Sequence, residues 1–236
     1  MTTANPIIVA LDTQEVEEAT TIAREVMGHV GAVKLGLEFF TANGAAGVRQ
    51  ITQLGVPLFL DLKFHDIPNT VAKAIAATAG MNMFMMTVHT SGGRAMLQAA
   101  MDASDRVAQA TGKERPLVIG VTLLTSLDQD DITILGFREK LQDQVLRLAD
   151  LAQSAGLDGV VCSPFEIAPI RKACGDELTL VVPGIRPEGA HAGDQKRIMT
   201  PRDALARGAD YLVIGRPITG AADRASAAAA ISAGLV

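Results

Sequence analysis

The sequence predicts an α/β protein, a single (β/α)8 barrel domain over residues 1–236. Three observations predict it. Short, β-prone apolar runs alternate with longer helical patterns along the chain. The runs are almost continuously apolar, as parallel strands covered by helices on one face and a packed interior on the other must be. Eight such strand-then-helix units in 236 residues match the size of one TIM barrel. A doubly wound open sheet fits the same alternation. No Pro/Gly/Ser-rich linker or composition shift divides the chain.

The first strand candidate, Ile7–Leu11, is an unbroken apolar run ended by Asp12. Gln14 to Met27 then carries apolar residues at helical spacing and stops at Gly28. Ala32–Leu35 is the second strand and contains Lys34; Leu58–Leu62 is the third, with Asp61 inside it and Lys63 just after. Phe84–His89 ends in a histidine, and Leu117–Leu123 contains Thr122 and leads to Thr125. Gly159–Cys162 leads into Ser163-Pro164-Phe165-Glu166, which pairs an N-cap serine and a first-turn proline with a capping-box glutamate. Leu178–Val182 ends at Pro183-Gly184, and Thr200-Pro201-Arg202-Asp203 opens a further helix with an acid in its first turn. Tyr211–Ile214 ends at Gly215-Arg216, and the alanine-rich stretch Ala221–Ala233 closes the chain as a helix.

Composition removes several function classes. Hydrophobic residues are 48% of the chain, enough for a substantial core, and 20% are charged, so it is not a disordered composition. The net charge is −5 and no dense Lys/Arg block appears, which argues against a nucleic-acid partner. The absence of Trp and the single Tyr argue against base-stacking platforms. The longest apolar stretch, around Met83 to Val88, is far short of a membrane span. The start, Met1 to Pro6, lacks the basic region of a targeting segment. Cys162 and Cys174 follow no metal-ligand spacing and read as free thiols, so the expected location is the cytoplasm.

In such a barrel the active site lies at the C-terminal ends of the strands. Charge interrupts the first, second, third and eighth strand ends, where a buried strand should be apolar. Asp61 and Lys63 are two apart, so they share a face, while Leu60 and Leu62 point to the helices. Opposite charges facing an interior need partners. Lys34 on the neighbouring strand supplies a third member, and a Lys–Asp–Lys alternation lets each charge offset the next. A purely structural ion network fits the same residues, but its place at the catalytic end favours function. After the seventh strand, Pro183-Gly184-Ile185-Arg186 leads into a polar, Gly-containing stretch, Pro187 to Arg197, which reads as a long mobile loop. Arg216, beside Gly215, suits a bidentate grip on phosphate where barrel enzymes often place one. His89 reads as a hydrogen-bonded barrel histidine and His65 as a loop-positioning residue. The Met81/Met83/Met85/Met86 cluster reads as core, and Cys162 as a small buried residue without a His partner.

Asp61-Leu62-Lys63-Phe64-His65-Asp66-Ile67-Pro68-Asn69-Thr70 closely resembles the signature of the orotidine 5′-monophosphate decarboxylases, in their bacterial branch. Further blocks recur in order along almost the whole chain: Val9–Asp12, Val33–Gly36, Val88-His89, Val121–Ser126, Gly156–Ser163, Pro183–Arg186, Gly193-Asp194-Gln195 and Val213–Arg216. Two departures are Thr90, where the family has a small apolar residue, and Pro164-Phe165 after the Val-Cys-Ser block.

The resemblance implies conversion of orotidine 5′-monophosphate to uridine 5′-monophosphate and CO2, with no cofactor and no metal. It implies a homodimer in which Lys34, Asp61 and Lys63 form a charge array completed by Asp66 from the neighbouring subunit. Lys63 is implied as the proton donor. Asp12 resembles the ribose contact, and Thr125, with Ser126 beside it, the pyrimidine-recognition segment. Pro183 lines the site. Arg186 and Gln195 bracket the loop over the phosphate, Gly215 and Arg216 resemble the phosphate cradle, and Ile67 and Thr70 help form the site. Two rivals remain open on the residues alone: a Mg2+-dependent phosphosugar decarboxylase acting on 3-keto-gulonate 6-phosphate, and a non-catalytic nucleotide-binding barrel.

Overall fold

The computed structural model describes residues 5–187 and 199–235. Eight parallel strands close into a barrel in chain order: β1 (Ile7–Ala10), β2 (Ala32–Leu35), β3 (Leu58–Phe64), β4 (Met85–His89), β5 (Leu117–Val121), β6 (Gly159–Val161), β7 (Thr179–Val182) and β8 (Tyr211–Ile214). Closure is explicit in the pairing of β1 with β8, Ile8 opposite Val213, which an open sheet lacks. The helices are α1 (Val16–Val26), α2 (Leu37–Thr52), α3 (Pro68–Ala76), α4 (Arg94–Thr111), α5 (Gln129–Ile134), α6 (Leu141–Ser154), α7 (Ile167–Cys174), α8 (Pro201–Ala206), α9 (Arg216–Thr219) and α10 (Arg224–Ala233). None of them is long and apolar enough to cross a membrane.

Strand alternation divides the core in two. Ile7, Val9, Val33, Leu35, Leu58, Leu60, Met86, Val88, Leu180, Val182, Leu212 and Ile214 face outward and pack under the helices. Ile8, Ala10, Ala32, Phe59, Met85, Ile119, Val181, Tyr211 and Val213 fill the interior. Each fully buried large side chain contributes roughly 1.5–3 kcal/mol. Both clusters use the same strands, so slipping one strand by a residue would exchange its two faces.

Local chemistry sets the helix ends. Thr200 Oγ1 accepts from Asp203 N at 3.2 Å and starts α8. Glu166 Oε2 accepts from Ser163 N at 2.7 Å, completing the expected capping box. That box closes a 3-10 turn, Pro164–Glu166, from which α7 continues. The closing helix begins at Arg224 rather than Ala221, because Asp223 accepts from Ser226 N at 2.9 Å and caps it there. Cys162 and Cys174 are free thiols, and Cys162 is buried with its pKa pushed well up by burial and by Glu166. Thr90 is fully buried, and among the described residues its Oγ1 has no hydrogen-bond partner.

Candidate active site

The interior becomes polar towards the C-terminal end of the strands. On β1 and the residues after it, Ile8 and Ala10 are followed by Asp12; on β2, Ala32 is followed by Lys34; on β3, Phe59 is followed by Asp61. These residues line a cleft of about 260 Å3 at the barrel mouth, together with Lys63, Thr125, Pro183, Arg186, Gly215 and Arg216.

β3 is not a regular strand there. Leu60 pairs with Met86 but Phe64 pairs with Val88, so two extra residues bulge out between the paired positions. Bulges of this kind re-aim side chains beside active sites. Lys63 takes up the bulge with φ 52°, in the left-handed region. For a long side chain that conformation costs roughly 1–2 kcal/mol. Its cause is visible: Lys63 N donates to Thr87 Oγ1 at 2.9 Å, and Lys63 Nζ donates to Asp61 Oδ1 at 2.9 Å. The expected shared face of Asp61 and Lys63 is therefore observed, but a bulge, not simple alternation, brings the lysine back to the aspartate.

Asp61 is the centre of the array. Lys34 Nζ lies 3.6 Å from Asp61 Oδ2 and 3.6 Å from Asp12 Oδ1, so it stands between two carboxylates. Such separations exceed good hydrogen-bond distances. The contact with Asp61 still carries roughly 4 kcal/mol of Coulomb attraction at an effective dielectric of about 20, to be set against desolvation, while solvent screens the pair with exposed Asp12 to about 1 kcal/mol or less. Thr87 Oγ1 adds a hydrogen bond to Asp61 Oδ1 at 2.9 Å. Burial pushes the Asp61 carboxyl up, but Lys34, Lys63 and the bonds from Lys63 and Thr87 outweigh it and hold its pKa below the usual value. Asp61 is thus an anion, held by two cations.

Arg186 stands on the opposite side of the mouth. It is buried, its Nη1 donates to Ile185 O at 2.9 Å, and its pKa is lowered by burial and by the charge of Arg216. Two guanidinium groups that repel one another beside one cleft make a site for an anion, because a dianion between them removes the repulsion. Gly184 precedes them with φ 77°, a turn that a side chain would strain. Thr125 lines the cleft between the two charged ends, while Ser126 is exposed and outside it.

Besides Ser126, three expected site residues are not brought into this cleft by the chain itself. Asp66, Ile67 and Thr70 follow β3 on the exposed surface, and Asp66 Oδ1 accepts from Ile67 N at 2.7 Å. Gln195 lies outside the described residues, as does most of the Pro187 to Arg197 stretch. His89 makes a ring contact with His65, centroids 5.3 Å apart, and among the described residues its side chain shows no hydrogen bond of the kind expected. Burial, then His65 and Lys63, lowers the His89 pKa. The residue that sequence reasoning missed is Thr87. The signal was present: Thr87 and His89 alternate with Met86 and Val88 in β4, so the parity rule applied to β3 would have found a polar inward pair there too.

A sequence profile described as the orotidine 5'-phosphate decarboxylase / HUMPS family matches residues 5–231. The chain belongs to this family. Among its relatives, the orotidine 5'-phosphate decarboxylase of Paramagnetospirillum magneticum is 53% identical over 231 residues, covering 98% of each chain. That of Rhodospirillum rubrum is 52% identical over 235 residues, covering 99% of this chain and 95% of the other. Of solved structures, orotidine 5'-phosphate decarboxylase from Lactobacillus acidophilus superposes with a TM-score of 0.86 at 36% identity, over 98% of this chain and 99% of that one. Family membership therefore covers the whole barrel, including every strand end that builds the cleft.

Proposed function

We infer that this chain is a carboxy-lyase that converts orotidine 5′-monophosphate to uridine 5′-monophosphate and CO2, the last step of de novo pyrimidine nucleotide synthesis. The observation that carries the reading is the Lys34–Asp61–Lys63 array facing the Arg186/Arg216 pair across one cleft. One end suits a phosphate dianion and the other suits a carboxylate about to leave.

When the C–C bond to CO2 breaks, its electron pair stays on a ring carbon with little resonance relief. The Lys63 ammonium stabilises that pair and donates a proton to the carbon. Preorganised charge in a water-poor site is the strongest help a protein can give such a step. Asp61 fixes Lys63 and Lys34 and repels the substrate carboxylate, which the loss of CO2 relieves. Lys34, between Asp61 and Asp12, orients the ribose hydroxyls with Asp12. Thr125 reads the pyrimidine edge. Arg186, Gly215 and Arg216, with Gln195 and Pro183, hold the phosphate, whose binding energy serves the chemistry at the far end. No cofactor enters this scheme. The family name also covers other phosphosugar chemistry, but both carboxylates beside Lys34 are already occupied by lysine, an arrangement that serves a leaving carboxylate better than a divalent cation.

Asp66, Ile67 and Thr70 are exposed on the single chain, which supports a homodimer, each subunit a single barrel domain, in which they complete the neighbour's site. The cytoplasm is the fitting location for such an enzyme.

Loss of orotidine 5′-monophosphate absorbance in the presence of EDTA tests the reading. The wild-type chain should turn over fully, and Lys63→Ala should lower kcat at least about 10^3-fold with uridine 5′-monophosphate still bound. Metal-dependent turnover, or a Lys63→Ala chain that keeps most of its rate, overturns it. Mixing inactive Lys63→Ala and Asp66→Ala chains should restore up to about one quarter of wild-type activity, because half the dimers are mixed and each has one intact site. No recovery despite subunit exchange rules out the shared site.

A further inference from the structure

We propose that Thr87 is a positioning residue for the decarboxylation, setting where the Lys63 ammonium sits through hydrogen bonds to both ends of the Asp61–Lys63 unit; this rests on the function inferred above. Thr87 is fully buried in β4, facing the interior between Met85 and His89. A buried hydroxyl needs partners, and it has two. It accepts from Lys63 N and donates to Asp61 Oδ1, each at 2.9 Å.

The two bonds act on one object. The bulge in β3 takes the Lys63 N–H out of the strand ladder, since regular pairing with β4 stops at Leu60 and resumes at Phe64. Thr87 gives that N–H its acceptor and so holds the left-handed turn at Lys63. The same hydroxyl donates to Asp61 Oδ1, the oxygen on which Lys63 Nζ rests at 2.9 Å. Backbone and ammonium of one lysine are therefore fixed from a single oxygen atom on the adjacent strand. Without it the N–H is unpartnered, the turn is free to relax towards an ordinary strand, and the carboxylate oxygen under the ammonium loses a donor. A valine of the same shape fills the space and does none of this.

The test compares Thr87→Val, Thr87→Ala and Thr87→Ser in the full-length protein. Four quantities are measured: kcat, KM for orotidine 5′-monophosphate, affinity for uridine 5′-monophosphate and Tm. Displacing a reacting group by a fraction of an ångström should lower kcat about 10- to 100-fold in the valine and alanine chains. KM and product affinity should stay within about threefold, because ribose and phosphate contacts are untouched. The serine chain, which keeps the hydroxyl, should recover kcat to within about threefold of wild type. Rates are referred to sites that bind uridine 5′-monophosphate, so a partly folded preparation does not imitate the effect. The proposal is overturned if kcat in the valine and alanine chains stays within twofold of wild type. It also fails if the loss lies in KM, if serine is no better than valine, or if both hydroxyl-free chains fail to fold. A wild-type chain that does not decarboxylate, or an active Lys63→Ala chain, would instead bring down the function reading itself.

Discussion

The two ends of the barrel each carry buried ion clusters, and they are built to opposite rules. At the N-terminal end, Arg115 grips Asp158 with both terminal nitrogens, Nη1 to Oδ2 at 2.7 Å and Nη2 to Oδ1 at 2.5 Å. Asp158 Oδ2 also accepts from Val118 N at 2.7 Å, and Arg115 Nε lies 3.1 Å from Asp105. The design repeats one βα-unit pair later. Asp210 pairs with Arg171 and accepts from Leu180 N, while Arg171 also donates to Gly208 O and Leu178 O. Nearly every donor and acceptor is consumed by the protein, in geometry that suits the guanidinium fork. At the C-terminal end, Lys34 hovers 3.6 Å from each of two carboxylates, Lys63 is backbone-strained, and two arginines repel one another. Both clusters are charged and partly buried, so charge and burial alone do not distinguish them. Saturation does. A closed network holds strands together; one whose lysine, Lys34, stands 3.6 Å from each of its carboxylates beside a cleft is left open to a ligand's charges.

The largest expected effect breaks the comparison into its two halves. Asp61→Asn should lower kcat at least about 10^2-fold, since it releases two lysines from the reacting site. Asp158→Asn should leave turnover per folded molecule unchanged and lower stability by about 2 kcal/mol, from charge-assisted bonds left without an anion. Urea titration and turnover on the same samples check both. If Asp158→Asn loses turnover per folded site, or Asp61→Asn keeps it, saturation is the wrong criterion.

A smaller effect sharpens the criterion. Thr90 is, among the described residues, an unsaturated polar group too, but it is fully buried and does not line the cleft at the barrel mouth. It departs from the small apolar residue of the resembling family. Here unsaturation has no ligand to serve and is a plain defect. Thr90→Val keeps the shape and removes the orphan hydroxyl, so it should raise stability by about 1 kcal/mol with kcat unchanged. A lowered Tm would show that the hydroxyl is partnered after all.

Much of this was readable in advance because it depends on near neighbours. All eight strands were legible from apolar runs bounded by polar residues, and β2 and β8 match their expected bounds residue for residue. The caps at Thr200 and Ser163 were legible because they are contacts over three residues. Ends were less legible where a cap outside the pattern won, as Asp223 did over the alanine run before it. Thr87 was missed because its two partners lie 24 and 26 residues away, on another strand.

By itself, the sequence determined the alternation of strand and helix, the shared face of Asp61 and Lys63 and the type of charge at the strand ends, since these follow from periodicity and residue chemistry. It also determined, through Asp61 to Asp66 and the blocks around it, which family the chain belongs to. Only the tertiary structure decided how those charges are held. Parallel pairing sets β1, β2, β3 and β4 side by side. That adjacency sets Lys34 between Asp12 and Asp61, forces the bulge at Lys63, and supplies the hydroxyl that holds it. A sequence can specify that a lysine stands at the mouth of the barrel, but its position to a fraction of an ångström depends on partners that only folding brings near.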